Sequence, residues 1–189
     1  MPAANLGSSF SDRKYDPIIE DCGPSALQGA MKKKCSTKPM FEELHWQRLA
    51  GRLPENGVTS VFSTDLLCRK RLAEVRWPGG VTCLECQSQD VGYLEGRKTY
   101  HCRNCRYQFT VLTRSLLGSS KLYPQLWFDA AEIYICWRAR SGRHDYGLHA
   151  FADVLGVAYP TAHRVRKILE KDLALGGTGL LIQCICIDV

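Results

Sequence analysis

Cys83, Cys86, Cys102 and Cys105 are spaced C-x2-C-x15-C-x2-C. A two-residue gap lets one tight turn present two sulfurs, and two such turns complete a tetrahedral shell of thiolates around zinc. A closed four-sulfur shell leaves no open coordination position, so the chemistry it supports is structural rather than catalytic. Two other readings of the same residues are two reduced, buried cysteine pairs and a dithiol redox site. Redox sites usually show a single C-x-x-C beside a βαβ pattern. Two pairs at this spacing make one structural Zn2+ the expected cofactor.

The chain has 189 residues, enough for one ordinary domain or a few small modules. Ten cysteines would suggest disulfides in a secreted protein. The segment Met1–Phe10 has neither a basic start nor an apolar core, and no apolar run approaches the length of a membrane span. A reducing, cytoplasmic setting without membrane contact is therefore expected, where paired cysteines read as metal ligands.

The formal charge of +6 is unevenly spread. Arg97, Lys98, Arg103, Arg106, Arg114, Lys121, Arg138, Arg140 and Arg143 face only Asp129 and Glu132 in the same stretch, whereas the rest of the chain is nearly balanced. Four thiolates and one zinc ion together contribute about −2, which leaves a net charge of about +4. A positive band on and after the cysteine cluster suits a phosphate backbone, and Arg97, Lys98, Arg103 and Arg106 are its candidate contacts within the cluster. Alone, such a run reads equally as a solvated face.

The elements that must position these groups follow from periodicity. Residues 1–38 have many turn formers and little pattern, and are expected to be a disordered or poorly packed extension. Residues 39–77 form a short helical segment: Phe41–Leu49, then a helix capped by Ser63 or Thr64 with Asp65 in its first turn. Cys68, Leu72 and Val75 recur on one face of that helix, which makes Cys68 a core residue rather than a fifth ligand. Residues 78–118 form the cysteine ribbon, with strands at Val91–Leu94, Thr99–Cys102 and Tyr107–Val111 and a turn at Glu95–Lys98. Tyr93, Tyr100, Tyr107 and Phe109 are read as its sparse core rather than as stacking platforms for bases.

Residues 119–175 form three helices. Pro124 opens the first, which stops near Ser141-Gly142; Tyr146–Leu155 is the second; Pro160–Leu173 is the third. Gly156 suits a left-handed helix end, with Val157 supplying the apolar contact after it. Helix, short glycine-containing turn and helix is the helix-turn-helix pattern, whose second helix reads the major groove from its N-terminal residues. Those residues are Thr161, His163, Arg164 and Lys167. A plain three-helix packing unit with the same residues facing water fits the pattern equally well. The fold class expected is thus small α+β: zinc-ribbon hairpins flanked by helices, then a helix-turn-helix-like segment. Residues 176–189 form an apolar tail, strand-like over Leu180–Asp188, and so an aggregation liability without sheet partners. Cys184 and Cys186 lie too close together for a second knuckle.

The run Arg76-Trp77-Pro78-Gly79-Gly80-Val81-Thr82-Cys83, the two knuckles and Tyr107-Gln108-Phe109-Thr110-Val111 together resemble the N-terminal zinc ribbon of bacterial insertion-sequence transposases of the DDE type. Ser120-Lys121-Leu122 with Trp127-Phe128, and Leu155-Gly156-Val157 with Thr161-Ala162, are similar to the helical segment that follows it. The resemblance covers Phe62–Leu169. Three positions depart from the family pattern: Leu84 and Gln87 stand where proline and glycine are usual, and His163 stands where tryptophan is common.

The resemblance implies double-stranded DNA as partner, namely the terminal repeats of the element, in a bacterial cytoplasm close to the nucleoid. It also implies a separate RNase-H-like domain that cuts and joins strands with two metal ions held by acidic residues. Asp188 lies about where the first such aspartate would begin, and one carboxylate cannot assemble that site. The expectation is a non-catalytic, DNA-binding transposase portion, truncated before its nuclease domain and able to compete with full-length transposase. The alternatives are a zinc-ribbon protein-interaction or regulatory module, and an enzyme whose missing half is supplied by another chain.

Overall fold

The computed structural model describes residues 37–141 and 147–187. Seven helices and one small sheet make up these residues: α1 (Thr37–Ala50), α2 (Val58–Val61), α3 (Asp65–Arg76), α4 (Pro124–Ser141), α5 (Leu148–Leu155), α6 (Tyr159–Leu173) and α7 (Leu180–Ile185). The sheet holds β1 (Val91–Leu94), β2 (Thr99–Cys102) and β3 (Gln108–Phe109), antiparallel in the order β1-β2-β3. This is the expected α+β class, a ribbon set among helices. Residues 1–36 of the expected N-terminal extension, Tyr146 and Asp188 lie outside the described residues.

Helix α4 is apolar around most of its circumference, and a helix of that kind must be covered on several sides. Trp127, Phe128, Ala130, Ala131 and Ile135 are fully buried along it. On one side α1 sets Trp46 edge-on to Tyr134 (centroids 5.5 Å apart), and the Arg138 guanidinium lies over the Trp46 ring at 4.8 Å. On another, Phe62 meets Phe128 edge-on at 5.2 Å, with Cys68 and Leu72 of α3 buried beside them. Phe151 of α5 packs on Trp137 at 5.5 Å, and Ala162, Val165 and Leu169 of α6 complete the cover. The helices before and after the ribbon therefore share one core.

Local chemistry sets the helix ends. Thr64 caps α3 by accepting from the Leu67 amide at 3.3 Å, as the sequence predicts. Gly156 ends α5 in the left-handed region (φ 64°), and the Val157 amide reaches back to Ala152 O at 3.0 Å. Helix α2 escaped the sequence reading. It is held from α4, where Glu132 Oε1 accepts from the Val58 amide (3.1 Å) and Asp129 Oδ1 from Thr59 Oγ1 (3.2 Å).

The tail differs from expectation. Leu180–Ile185 is a helix, not a strand, and its Leu181, Cys184 and Ile185 are buried. A short apolar run fits either period, so its partners decide. The fully buried Asp172 carboxylate accepts from Leu180 N (3.0 Å), Leu181 N (2.8 Å) and the Thr178 hydroxyl. At the other end Arg71 donates to Cys184 O (3.2 Å) and Gln183 O (3.0 Å). An anion at the amide end and a cation at the carbonyl end match the helix dipole. Gly177 permits the tight approach of α7 to α6, because a Cβ there would sit 2.5 Å from Asp172 O. The apolar run is spent inside the core and leaves no bare strand edge.

In the ribbon, β1 and β2 have the predicted bounds, with Val91 opposite Cys102 and Leu94 opposite Thr99. Their connection is a 3-10 turn, Glu95–Arg97, closed by Lys98 in the left-handed region (φ 51°). Strand β3 is shorter than predicted. Thr110 and its neighbours leave the ladder because side chains capture their amides: Thr110 N donates to Thr113 Oγ1 (2.9 Å) and Leu112 N to Thr110 Oγ1 (3.3 Å).

Candidate metal centre

Each C-x-x-C pair sits on a turn closed by one backbone bond and one amide-to-sulfur bond. In the first, the Gln87 amide donates to Cys83 O (3.1 Å) and the Glu85 amide to Cys83 Sγ (3.4 Å). In the second, the Arg106 amide donates to Cys102 O (3.0 Å) and the Cys105 amide to Cys102 Sγ (3.5 Å). The residue after each second cysteine is left-handed: Gln87 at φ 60° and Arg106 at φ 63°. That conformation costs a non-glycine residue about 1–2 kcal/mol. The absence of glycine at Gln87 thus leaves the sulfur hydrogen bond intact and appears as backbone strain instead.

The turns face each other across the hairpin, and all four sulfurs lie within 4.8 Å of one another. Cys83 and Cys105 are 3.5 Å apart, Cys86 and Cys102 3.6 Å. Zinc–sulfur bonds of about 2.3 Å place tetrahedral ligands about 3.8 Å apart, so the set is nearly at zinc spacing. Without a cation the sulfurs divide their protons unequally. Desolvation pushes the Cys83 thiol up, but the Cys86 and Glu85 amides and the neighbouring thiols bring it down to about 6. For Cys105 the Tyr107 amide favours the thiolate, yet desolvation and the other three sulfurs carry it up to about 12. Four thiolates together require a divalent ion between them. The four cysteines fit one structural Zn2+. Cys68 is not a further ligand: it is buried on α3, and burial drives its thiol up to about 12.

A small apolar floor supports the centre. Cys83, Cys102 and Phe109 are buried, with Trp77, Tyr100 and Tyr107 packed against them. Tyr107 and Phe109 stack at 5.9 Å, and Trp77 meets Phe109 edge-on at 6.0 Å. Phe109, Tyr100 and Tyr107 take the expected core role; Tyr93 lies against Tyr100 at 4.9 Å but remains 38% exposed. Two arginines tie the ribbon down. Arg114 donates to Leu84 O and pairs with Glu85 at 2.7 Å, which fixes the first knuckle to the chain beyond β3. Arg76, at the end of α3, donates to Val111 O and Thr113 O. Both bridge residues about 30 or more positions apart, and nothing local in the sequence marks them.

Residues 63–108 match the transposase zinc-ribbon domain. The matching family model is the IS1595 type. The matched segment runs from Ser63, just before the cap of α3, to the first residue of β3, and does not extend over α4 to α7. No curated protein and no solved structure matches the chain. None of the described helices is long and apolar enough to cross a membrane.

The candidate DNA contacts fall into two groups. On the zinc ribbon, Arg97 and Lys98 occupy the hairpin tip, and Arg103 and Arg106 the second knuckle; all four are exposed. Lys98 pairs with Asp65 at 3.0 Å and Arg103 with Asp90 at 3.0 Å, while Arg97 and Arg106 make no ion pair among the described residues. Burial raises the Asp65 carboxyl, but hydrogen bonds and charge from Arg69 and Lys98 outweigh it and lower its pKa. On α6, His163, Arg164 and Lys167 are exposed and Thr161 is half-buried, opposite the buried Ala162, Val165 and Leu169. His163 therefore faces away from the core. Thr161 and Arg164 share a cleft with Ser120, Lys121 and Leu122, a grouping the sequence reading did not make.

Proposed function

We propose that this chain is a zinc-stabilised, DNA-binding portion of an insertion-sequence transposase. The observation that carries the reading is the division of α6. One face supplies core residues, and the other presents His163, Arg164 and Lys167 to solvent directly after the three-residue turn Gly156–Ala158. Helix α5, that turn and α6 form a helix-turn-helix whose second helix enters the major groove with its N-terminal half. The transposase zinc-ribbon match in the same chain supports duplex DNA as the ligand, and the terminal repeats of the element as the sequence bound.

The described residues are proposed to bind DNA without cutting it. Strand cleavage of the two-metal kind needs clustered carboxylates. Among the described residues, only the four cysteines come close enough together to share a metal ion. The test is a duplex-binding titration of the zinc-loaded chain at several salt concentrations. Affinity should fall steeply with salt. Arg164→Ala and Lys167→Ala should each weaken binding and lower the salt slope by about 1 for every lost phosphate contact. Duplex binding that is absent, or unaltered by both changes, refutes the assignment.

A further inference from the structure

Between the end of the ribbon and α6 lies a cleft of about 300 Å³, lined by Ser120, Lys121, Leu122, Trp127, Thr161, Arg164 and Val165. No carboxylate lines it. Lys121 and Arg164 are exposed, and neither makes an ion pair or hydrogen bond among the described residues. Thr161 sits in the first turn of α6, where the helix dipole favours an anion. Ser120 Oγ accepts from the Leu122 amide at 3.0 Å, which leaves its hydroxyl hydrogen to donate.

Trp127 supplies the independent observation. Its side chain is fully buried, it lines this cleft, and its indole N–H has no acceptor among the described residues. A buried donor without a partner is uncommon and calls for a ligand or an ordered water. The residues that carry two unpaired cations, two hydroxyls and an unmet N–H therefore line one small, acid-free space. A tetrahedral oxyanion suits such a lining in charge and in its need for donors.

We infer that this cleft holds one backbone phosphate of the bound DNA, with Lys121 and Arg164 supplying charge and Ser120, Thr161 and Trp127 supplying donors. The inference rests on the DNA-binding reading and deepens it. A phosphate clamped at the start of α6 sets the depth and register of that helix in the groove, which is the usual part of phosphate contacts in recognition.

The experiment follows the Trp127 indole N–H resonance in the zinc-loaded full chain, first with inorganic phosphate and then with duplex DNA. Lys121→Gln and Arg164→Gln are the variants, both at exposed positions where the fold should persist. The expected result is a saturable shift of the Trp127 signal with each ligand. Lys121→Gln should reduce both shifts and lower the salt slope of DNA binding by about 1. DNA binding with the Trp127 signal unmoved and the Lys121→Gln slope unchanged overturns the cleft assignment and leaves the DNA reading standing. A phosphate shift without any duplex binding keeps the anion site and overturns DNA as its source.

Discussion

Removing the metal is expected to unfold the ribbon and spare the helices. Cys83, Cys102 and Phe109 are the buried residues of the ribbon's own cluster, and two of the three are metal ligands. Once the metal is gone, Phe109 is the principal side chain left, and full burial of a phenylalanine contributes only about 1.5–3 kcal/mol. A structural zinc site contributes about 10–16 kcal/mol, against about 5–15 kcal/mol for the whole stability of a typical domain. No apolar reserve in the ribbon covers that loss. The helical core contains none of the four ligands and is built on Trp127, Phe128, Ile135, Phe151, Leu169 and Leu173. Its stability should therefore be nearly independent of zinc.

The assay is amide hydrogen exchange before and after chelation, with zinc content measured in parallel. Amides of β1, β2 and β3 should lose protection while those of α4 and α6 keep theirs. Cys102→Ser should reproduce the effect and drop the zinc content from one per chain to none. An unchanged stoichiometry in that variant refutes the ligand set. Simultaneous loss of α4 protection refutes the separation of the two cores.

Three further outcomes are expected. Gln87→Gly relieves a left-handed non-glycine backbone and should stabilise the zinc-bound ribbon by about 0.5–1 kcal/mol, read as tighter zinc retention against a competing chelator. Asp172→Ala removes an acceptor from one buried amide, one half-buried amide and a hydroxyl and should cost about 3 kcal/mol in urea unfolding, with Asp172→Asn milder because it keeps one oxygen. Burial raises the Glu132 carboxyl above its ordinary value of 4.5, and the Asp129 charge adds to the rise. The folded state then binds more protons than the unfolded state, so stability declines as pH rises from about 4.5 through the raised value and is constant above it. Glu132→Gln keeps the Oε1 acceptor for Val58 and should flatten that decline, so that its gain over the unsubstituted chain is larger at pH 7 than at pH 4; an unchanged pH profile contradicts the assignment.

How far the sequence was legible depends on whether a signal was local. The cysteine spacing, the Thr64 cap, the β1–β2 hairpin and the left-handed Gly156 each rest on residues a few positions apart, and each stands where predicted. Helix α7 failed because its six residues have no decisive period. What makes them helical is Asp172 on one neighbour and Arg71 on another. The same holds for α2, which depends on Glu132 and Asp129 from α4, and for Arg76 and Arg114, whose partners lie far along the chain. On α6 the sequence predicted the exposed and buried faces correctly. It could not join Arg164 to Lys121, because that pairing arises only when the end of the ribbon packs beside the helix.

The arrangement bears on what zinc does for binding. The ribbon hangs from α3 at two points: Arg76 and Trp77 hold its base, and the Asp65–Lys98 pair reaches its hairpin tip. Helix α3 packs on α4, and α4 on α6, so the ribbon's cations and those of α6 are positioned by one helical frame. Chelation releases Arg97, Lys98, Arg103 and Arg106 from that frame and leaves the α6 cleft assembled. Duplex affinity should then fall on chelation while the phosphate-induced shift of the Trp127 indole persists. If both vanish together, the cleft depends on the metal after all, and the helical core is not the independent platform that its packing describes.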